Sequence, residues 1–255
     1  MNNPTLAGVL EILRGSVWVD LTHTFHTDIP HSPAFEPASR TVVSTIERGA
    51  DGALTGFLSH DYRHVGQWGT HVDPPAHFVP GLRHQDDIPV TEMVLPLAVI
   101  DVRRHVRADP DYAVTDDDLA QWENRNGRIP AGSFVALRTG WSSRWPSQEK
   151  MLNPGPDGLF HYPGWSREVL TTLFEDRGAT ACGHETTDTD TGISVSRGDS
   201  SLERYVLGTD HYQIELMANL DQVPESGAVI VATWPKALRG SGFPARVFAI
   251  YQKDE

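Results

Sequence analysis

Apolar and polar positions along the chain switch between a helical and a strand period, and the elements they predict are interleaved rather than grouped. In "SREVLTTLFEDRG", Val169, Leu170, Leu173 and Phe174 fall on one helical face, Ser166 can cap the start and Gly178 ends the run. Thr115 with Asp118 three residues on marks a helix start for "TDDDLAQWENRNG", which stops at Asn126-Gly127. The acids of that first turn complement the helix dipole and do not read as a metal site. Shorter helices are predicted over Thr5–Leu13, ending at Gly15, and around Ser200–Leu207. Strands are predicted at "SVWVDL", "RTVVSTIE" and "ALTGFLSH", while the dense Val, Ile and Leu of "LPLAVIDVR" and "GSFVALRTG" read as buried strands. Further strands fall at "ATACG", "YQIELM", "AVIVATW" and "ARVFAIY". With strands outnumbering helices and helices lying between strands, the pattern predicts an α/β fold with a mixed sheet, closed or strongly curved, and flanking helices. The Pro/Gly-rich stretch 145–164 interrupts it and reads as a long functional loop.

Composition narrows the function classes. A chain of 255 residues, 39 % hydrophobic, can bury a substantial core as one large or two small domains. Its net charge of −13, from 34 acids against 21 bases, argues against a surface made for nucleic-acid phosphates. No apolar run approaches a membrane span, and the opening "MNNPTLAGVLEILRGSVWV" lacks the basic and cleavage signals of a leader, so a cytoplasmic protein is expected. The lone Cys182 precludes an intrachain disulfide and a multi-thiolate zinc site. Any metal must therefore rely on His, carboxylate and amide ligands. Of the twelve His residues, ten fall within 23–31, 60–84 and 184–211.

The densest chemistry lies in "QWGTHVDPPAHF", residues 67–78. In an extended chain residues of equal parity share a face, so Gln67, His71 and Asp73 can converge on one side. Gly69 permits a bulge or close approach, and Pro74-Pro75 ends the strand and forces a turn that frees His77 to swing back. Ligands on a rigid strand with a free base beside them suit a metal-assisted reaction. A satisfied hydrogen-bonded His71–Asp73 pair fits the same spacing, and spacing alone does not choose.

Here the sequence resembles a known family. "GTHVDPPAHF" is similar to the signature of the bacterial cyclase-like metal-dependent hydrolases, the relatives of kynurenine formamidase and isatin hydrolase. "VDLTHTFHTDIP" looks like the family's N-terminal strand, and "IELMANLDQVPESGAVIVATWPKALRGSGFPARVFA" like its closing segment. The resemblance implies one cyclase-like domain over residues 1–255, a swivelling β/β/α fold and a homodimer or homotetramer. It also implies His71 and Asp73 as metal ligands, His77 as the catalytic base and Glu215 as a further ligand. Two family imidazoles are replaced, by Gln67 and, counting back twelve residues from Glu215, by Glu203. That exchange makes the donor set harder and richer in oxygen, which suits Mn²⁺ while still accepting Zn²⁺, and leaves one ion or two open.

The expected activity is hydrolysis of a C–N bond beside a carbonyl, in an amide, formamide, cyclic imide or lactam, with His71, Asp73 and Glu215 holding the ion. Gln67 and Glu203 would complete or orient the metal shell. Trp68, His23, His31 and His211 are the expected substrate-binding residues, each with a structural alternative: core packing for Trp68, hydrogen bonding for the imidazoles. His184 and Glu185 end a strand where functional loops sit, but the preferred reading is an Asp/Thr-rich turn that satisfies its own backbone. A lactone or ester hydrolase, and an inactive metal- or ligand-binding relative, are the competing readings.

Overall fold

The structure is a computed structural model describing residues 5–253; Met1–Pro4, part of the opening segment read above for a leader, and Asp254–Glu255 lie outside it. Helix α1 (Leu6–Gly15), capped by Thr5, leads into strand β1 (Val17–Asp20), and β2 (Ser39–Arg48) and β3 (Leu54–Arg63) form a separate antiparallel hairpin. The short β4 (His71–Asp73) and the longer β5 (Val94–Asp101) follow. Next come helices α2 (Arg103–Ala108) and α3 (Asp116–Asn126), β6 (Phe134–Arg138), α4 (Gln148–Leu152), α5 (Arg167–Thr171) and β7 (Ala181–His184). Helices α6 (Gly192–Ser196) and α7 (Ser201–Gly208) precede β8 (Tyr212–Glu215), β9 (Ala228–Thr233), β10 (Phe243–Pro244) and β11 (Arg246–Tyr251).

All strands but the hairpin join one sheet in the order β1-β11-β9-β5-β6-β7-β8-β4-β10. Its middle, β5-β6-β7-β8, is parallel, and both flanks are antiparallel. Parallel neighbours need crossovers, and the helices between those strands supply them. Every residue of β6 is buried, as a strand covered on both faces should be. One face sends Ile100, Val135 and Leu137 against Trp122 of α3 and Leu170 of α5. The other sends Val99, Phe134 and Ile214 against Ile230 of β9 and Val247 of β11, so the sheet curls onto its own antiparallel strands.

The Thr115/Asp118 capping box is present at the start of α3. Two expectations need adjusting. The helix expected through "SREVLTTLFEDRG" is α-helical only to Thr171 and widens into a π turn over Thr172–Asp176, with Leu173 and Phe174 kept buried. The stretch 145–164 is not wholly a loop, because it contains α4, whose start is capped by Ser147. No helix among the described residues is long and apolar enough to cross a membrane.

Candidate metal centre

The centre is built where β4 pairs with β8. The antiparallel register sets His71 opposite Glu215 and Asp73 opposite Gln213, so four polar side chains meet on one face while Val72 points into the core. Gly69 turns the chain with φ +66°, a conformation that favours glycine. That turn confines β4 to three residues, so Gln67 reaches the centre from a loop rather than by strand parity. After Asp73 the two prolines end the strand, and Pro75–His77 makes one 3₁₀ turn with the His77 N–H donating to the Pro74 carbonyl at 2.9 Å. His77 thus returns to the centre, its Nε2 3.8 Å from Asp73 Oδ1.

His71 places Nδ1 2.8 Å from the Gly69 carbonyl. A carbonyl only accepts, so the proton sits on Nδ1 and the Nε2 lone pair is free. That Nε2 lies 3.3 Å from Asp73 Oδ2 and 3.5 Å from Glu215 Oε2, buried and with no aligned hydrogen bond. Donor atoms of these three residues all lie within 4.8 Å of one another. Burial first, then the charge of Asp73, pushes Glu215 and Glu203 well above the ordinary carboxylate range. Burial opposes charge at Asp73 and His71 too, but their mutual attraction outweighs it, lowering Asp73 and raising His71. Crowded carboxylates around an orphaned nitrogen are what a divalent cation would neutralise, and one N with two O donors fits such an ion.

Two carboxamides brace these ligands. Gln67 Nε2 donates to the Ser241 carbonyl at 2.7 Å and to Asp73 Oδ1 at 3.1 Å, so its nitrogen end faces the carboxylate. Gln67 is placed as a support of Asp73, not as an oxygen ligand beside it. A Cβ at Gly242 would lie 2.0 Å from that nitrogen, so the approach requires glycine. Gln213, fully buried, directs Nε2 at Glu215 Oε1 (3.0 Å), Glu203 Oε1 (3.3 Å) and Asp73 Oδ2 (3.4 Å), while Thr189 donates to its Oε1 at 2.6 Å. Glu203 reaches the centre through this amide and stands outside the three-ligand cluster.

A cavity of about 280 Å³ opens onto the ligands, with His31, Gln67, His77, Glu203 and Glu215 in its wall. The remaining expected substrate contacts lie elsewhere. Trp68 is fully buried behind His31, its indole N–H donating to the His26 carbonyl at 2.9 Å. His23 stacks on Trp145 at 4.1 Å and lines separate surface recesses. His211 stacks on Phe174 at 3.9 Å with Nδ1 3.1 Å from the Thr180 carbonyl, a packing role. Glu185 is occupied by donors from Thr139, Gly140 and Ser142.

Sequence reasoning missed the aromatic wall of Phe35, Phe160 and Tyr162, and Asp188, which accepts from the Tyr162 hydroxyl at 2.5 Å. It also read His184 with the self-satisfied turn rather than with the site; burial pushes that imidazole down to about 3. Asp188 lies in the Asp/Thr-rich turn, where its pattern matches an ordinary turn, so no sequence signal separated it.

The family model described as "Putative cyclase" matches residues 19–191. Isatin hydrolase of Roseibium aggregatum is 31 % identical over 203 residues, covering 77 % of this chain and 76 % of the relative. The structure of isatin hydrolase A from Labrenzia aggregata bound to benzyl benzoate superposes with a TM-score of 0.86 at 30 % identity, covering 97 % of this chain and 99 % of that one. An isatin hydrolase bound to the product analogue thioisatinate gives 0.84 at 26 % identity, covering 97 % and 98 %. The match over most of the length joins the strand–turn–His geometry at residues 67–77 in saying the same thing: the chain belongs to the cyclase-like metal-dependent hydrolase family.

Proposed function

We propose that this chain hydrolyses the C–N bond of a neutral cyclic amide, opening its ring. The observation that carries the reading is the His71/Asp73/Glu215 cluster with His77 beside it at the mouth of an aromatic-walled cavity. The isatin hydrolase relatives support it, isatin being itself a cyclic amide. The cavity wall contains Asp73, Asp188, Glu203 and Glu215 but, among the described residues, no Lys or Arg, which disfavours an anionic substrate, and Phe35, Phe78 and Phe160 suit a flat apolar ring.

His71, Asp73 and Glu215 would hold the ion, Mn²⁺ or Zn²⁺. When bound, the ion supplies Lewis-acid polarisation of a carbonyl and makes water more acidic. Gln67 keeps Asp73 Oδ1 engaged, which leaves Oδ2 turned towards His71. His77, partly exposed to the cavity, takes the proton from the attacking water and delivers it to the departing nitrogen. Phe78 packs edge-on against its ring at 5.0 Å and limits its swing.

The same reading includes a cytoplasmic location and assembly into a homodimer or homotetramer, with the exposed apolar side chains of the β2–β3 hairpin as the contact between copies. The test is turnover by Mn²⁺- or Zn²⁺-loaded protein of three substrate sets: aromatic lactams and imides, acyclic formamides, and lactones. Ring opening of the lactam set is the expected result. Cleavage confined to lactones, or to formamides, would overturn the cyclic-amide assignment.

A further inference from the structure

Two buried imidazoles, His71 and His184, each present an Nε2 with no aligned hydrogen bond, and both face the same carboxylate. His71 Nε2 lies 3.5 Å from Glu215 Oε2, and His184 Nε2 lies 3.4 Å from Glu215 Oε1. His184 stands outside the three-ligand cluster, although distance to Glu215 alone does not tell the two apart. Their other nitrogens do. Nδ1 of His71 faces the Gly69 carbonyl, which can only accept, so its Nε2 keeps a lone pair. Nδ1 of His184 faces the indole N–H of Trp165 at 3.3 Å, which can only donate. That contact occupies the Nδ1 lone pair, so in the neutral ring the proton sits on Nε2, which cannot then ligate a metal. The two rings are held as opposite tautomers by opposite partners.

Resting on the metal-centre reading, we infer that His184 is a positioning residue: its Nε2–H, set by Trp165, faces Glu215 Oε1 at 3.4 Å and attracts it without an aligned hydrogen bond, which biases Oε2 towards the ion beside His71. Gln213 reinforces this, donating to the same Oε1 at 3.0 Å, so one oxygen of Glu215 faces two donors and the other faces only the His71 lone pair. The fold commits several residues to this line. His184 ends β7, next to β8 in the sheet, and a Cβ at Gly183 would lie 2.6 Å from Phe134 and 2.8 Å from the Ile214 carbonyl. Trp165 is locked in turn, its backbone N–H donating to the Thr189 carbonyl at 2.9 Å. An outer partner that orients a ligand in this way characteristically governs metal affinity.

The test compares His184→Gln, which keeps an N–H at similar reach, with His184→Leu, which keeps bulk and loses the donor. Both are checked for folding by thermal melting. Mn²⁺ titrated calorimetrically into metal-free protein should bind ~10–100-fold more weakly to the Leu variant, with the Gln variant recovering most of that loss. Nitrogen-15 NMR of histidine-labelled protein should show His184 protonated at Nε2 before and after Zn²⁺ is added, and Trp165→Phe should release that tautomer. Equal affinity losses in the Gln and Leu variants would overturn the inference. So would a His184 Nε2 that is unprotonated and shifts on metal binding, because the residue would then be a ligand. A wild type that takes up no ion would overturn the metal-centre reading itself, an outcome distinct from either.

Discussion

Strands β4 and β8 are three and four residues long, every residue in them is buried, and together they carry His71, Asp73, Gln213 and Glu215. The hairpin β2–β3 has ten residues in each strand and is exposed on both faces, with Val43 and Phe57 66 % and 67 % exposed. The usual distribution of polar and apolar residues is thus reversed between two antiparallel pairs of one chain. Buried polar groups are tolerated where each has a partner, and β4 lies between β8 and β10, with Gln67 and Gln213 bracing the carboxylates. The hairpin has no third strand and no covering layer among the described residues, and a two-stranded ribbon alone in water is marginal. What the first pair obtains from the rest of its own chain, the second would obtain from another copy in the homo-oligomer proposed above.

The sharpest way to break this contrast is at His77. Replacing it with Ala should lower turnover by ~10²–10⁴ while metal content is unchanged, read by steady-state kinetics and elemental analysis together. Loss of the metal along with the activity would make His77 a ligand and erase the division between ligands and base. On the hairpin, Val43→Glu together with Phe57→Glu should shift the molecular mass measured by light scattering down to that of one chain, leaving the metal bound. An unchanged oligomer would move the contact elsewhere on the surface.

The smallest effect concerns the loop that brings Phe160 and Tyr162 to the cavity. Between them His161 turns away, with Nδ1 2.7 Å from Asp111 Oδ2, and this hydrogen bond raises its pKa above the ordinary 6.5. A raised folded-state pKa gives stability that is complete below 6.5 and lost as the pH rises through the higher folded value. The pair is partly solvated, so the expected contribution is below about 1 kcal/mol, or no more than about 2–4 °C in Tm. Asp111→Asn should flatten this part of the Tm–pH profile; an unaltered profile would show that the pair contributes nothing.

Much of this was legible in sequence for specific reasons. Dense Val, Ile and Leu marked β5 and β6 because strands covered on both faces need apolar side chains on both. Thr115 and Asp118 announced α3 because a capping box is a local device. Asp73 follows His71 by two, so the pleat alone puts them on one face, and Pro74-Pro75 forecast the turn that returns His77. Parity misdescribed the route of Gln67, since the left-handed turn at Gly69 breaks the extension between them. Gln213, Asp188 and His184 join the centre through the long-range pairing of β7 with β8 and β8 with β4, which no spacing within a short motif encodes. Trp68, His23 and His211 lie beside the right segments, but a side chain's direction from a loop is set by packing that the local sequence does not reveal.

The central claim is that His71, Asp73 and Glu215 hold a divalent ion, and metal content tests it most directly. Wild type and Asp73→Ala, prepared in parallel and exposed to Mn²⁺ and Zn²⁺, would be analysed by inductively coupled plasma mass spectrometry after removal of free ion. The account predicts near-stoichiometric metal in the wild type and its loss in the folded variant. A wild type that retains no metal, or an Asp73→Ala variant that retains as much, would contradict it.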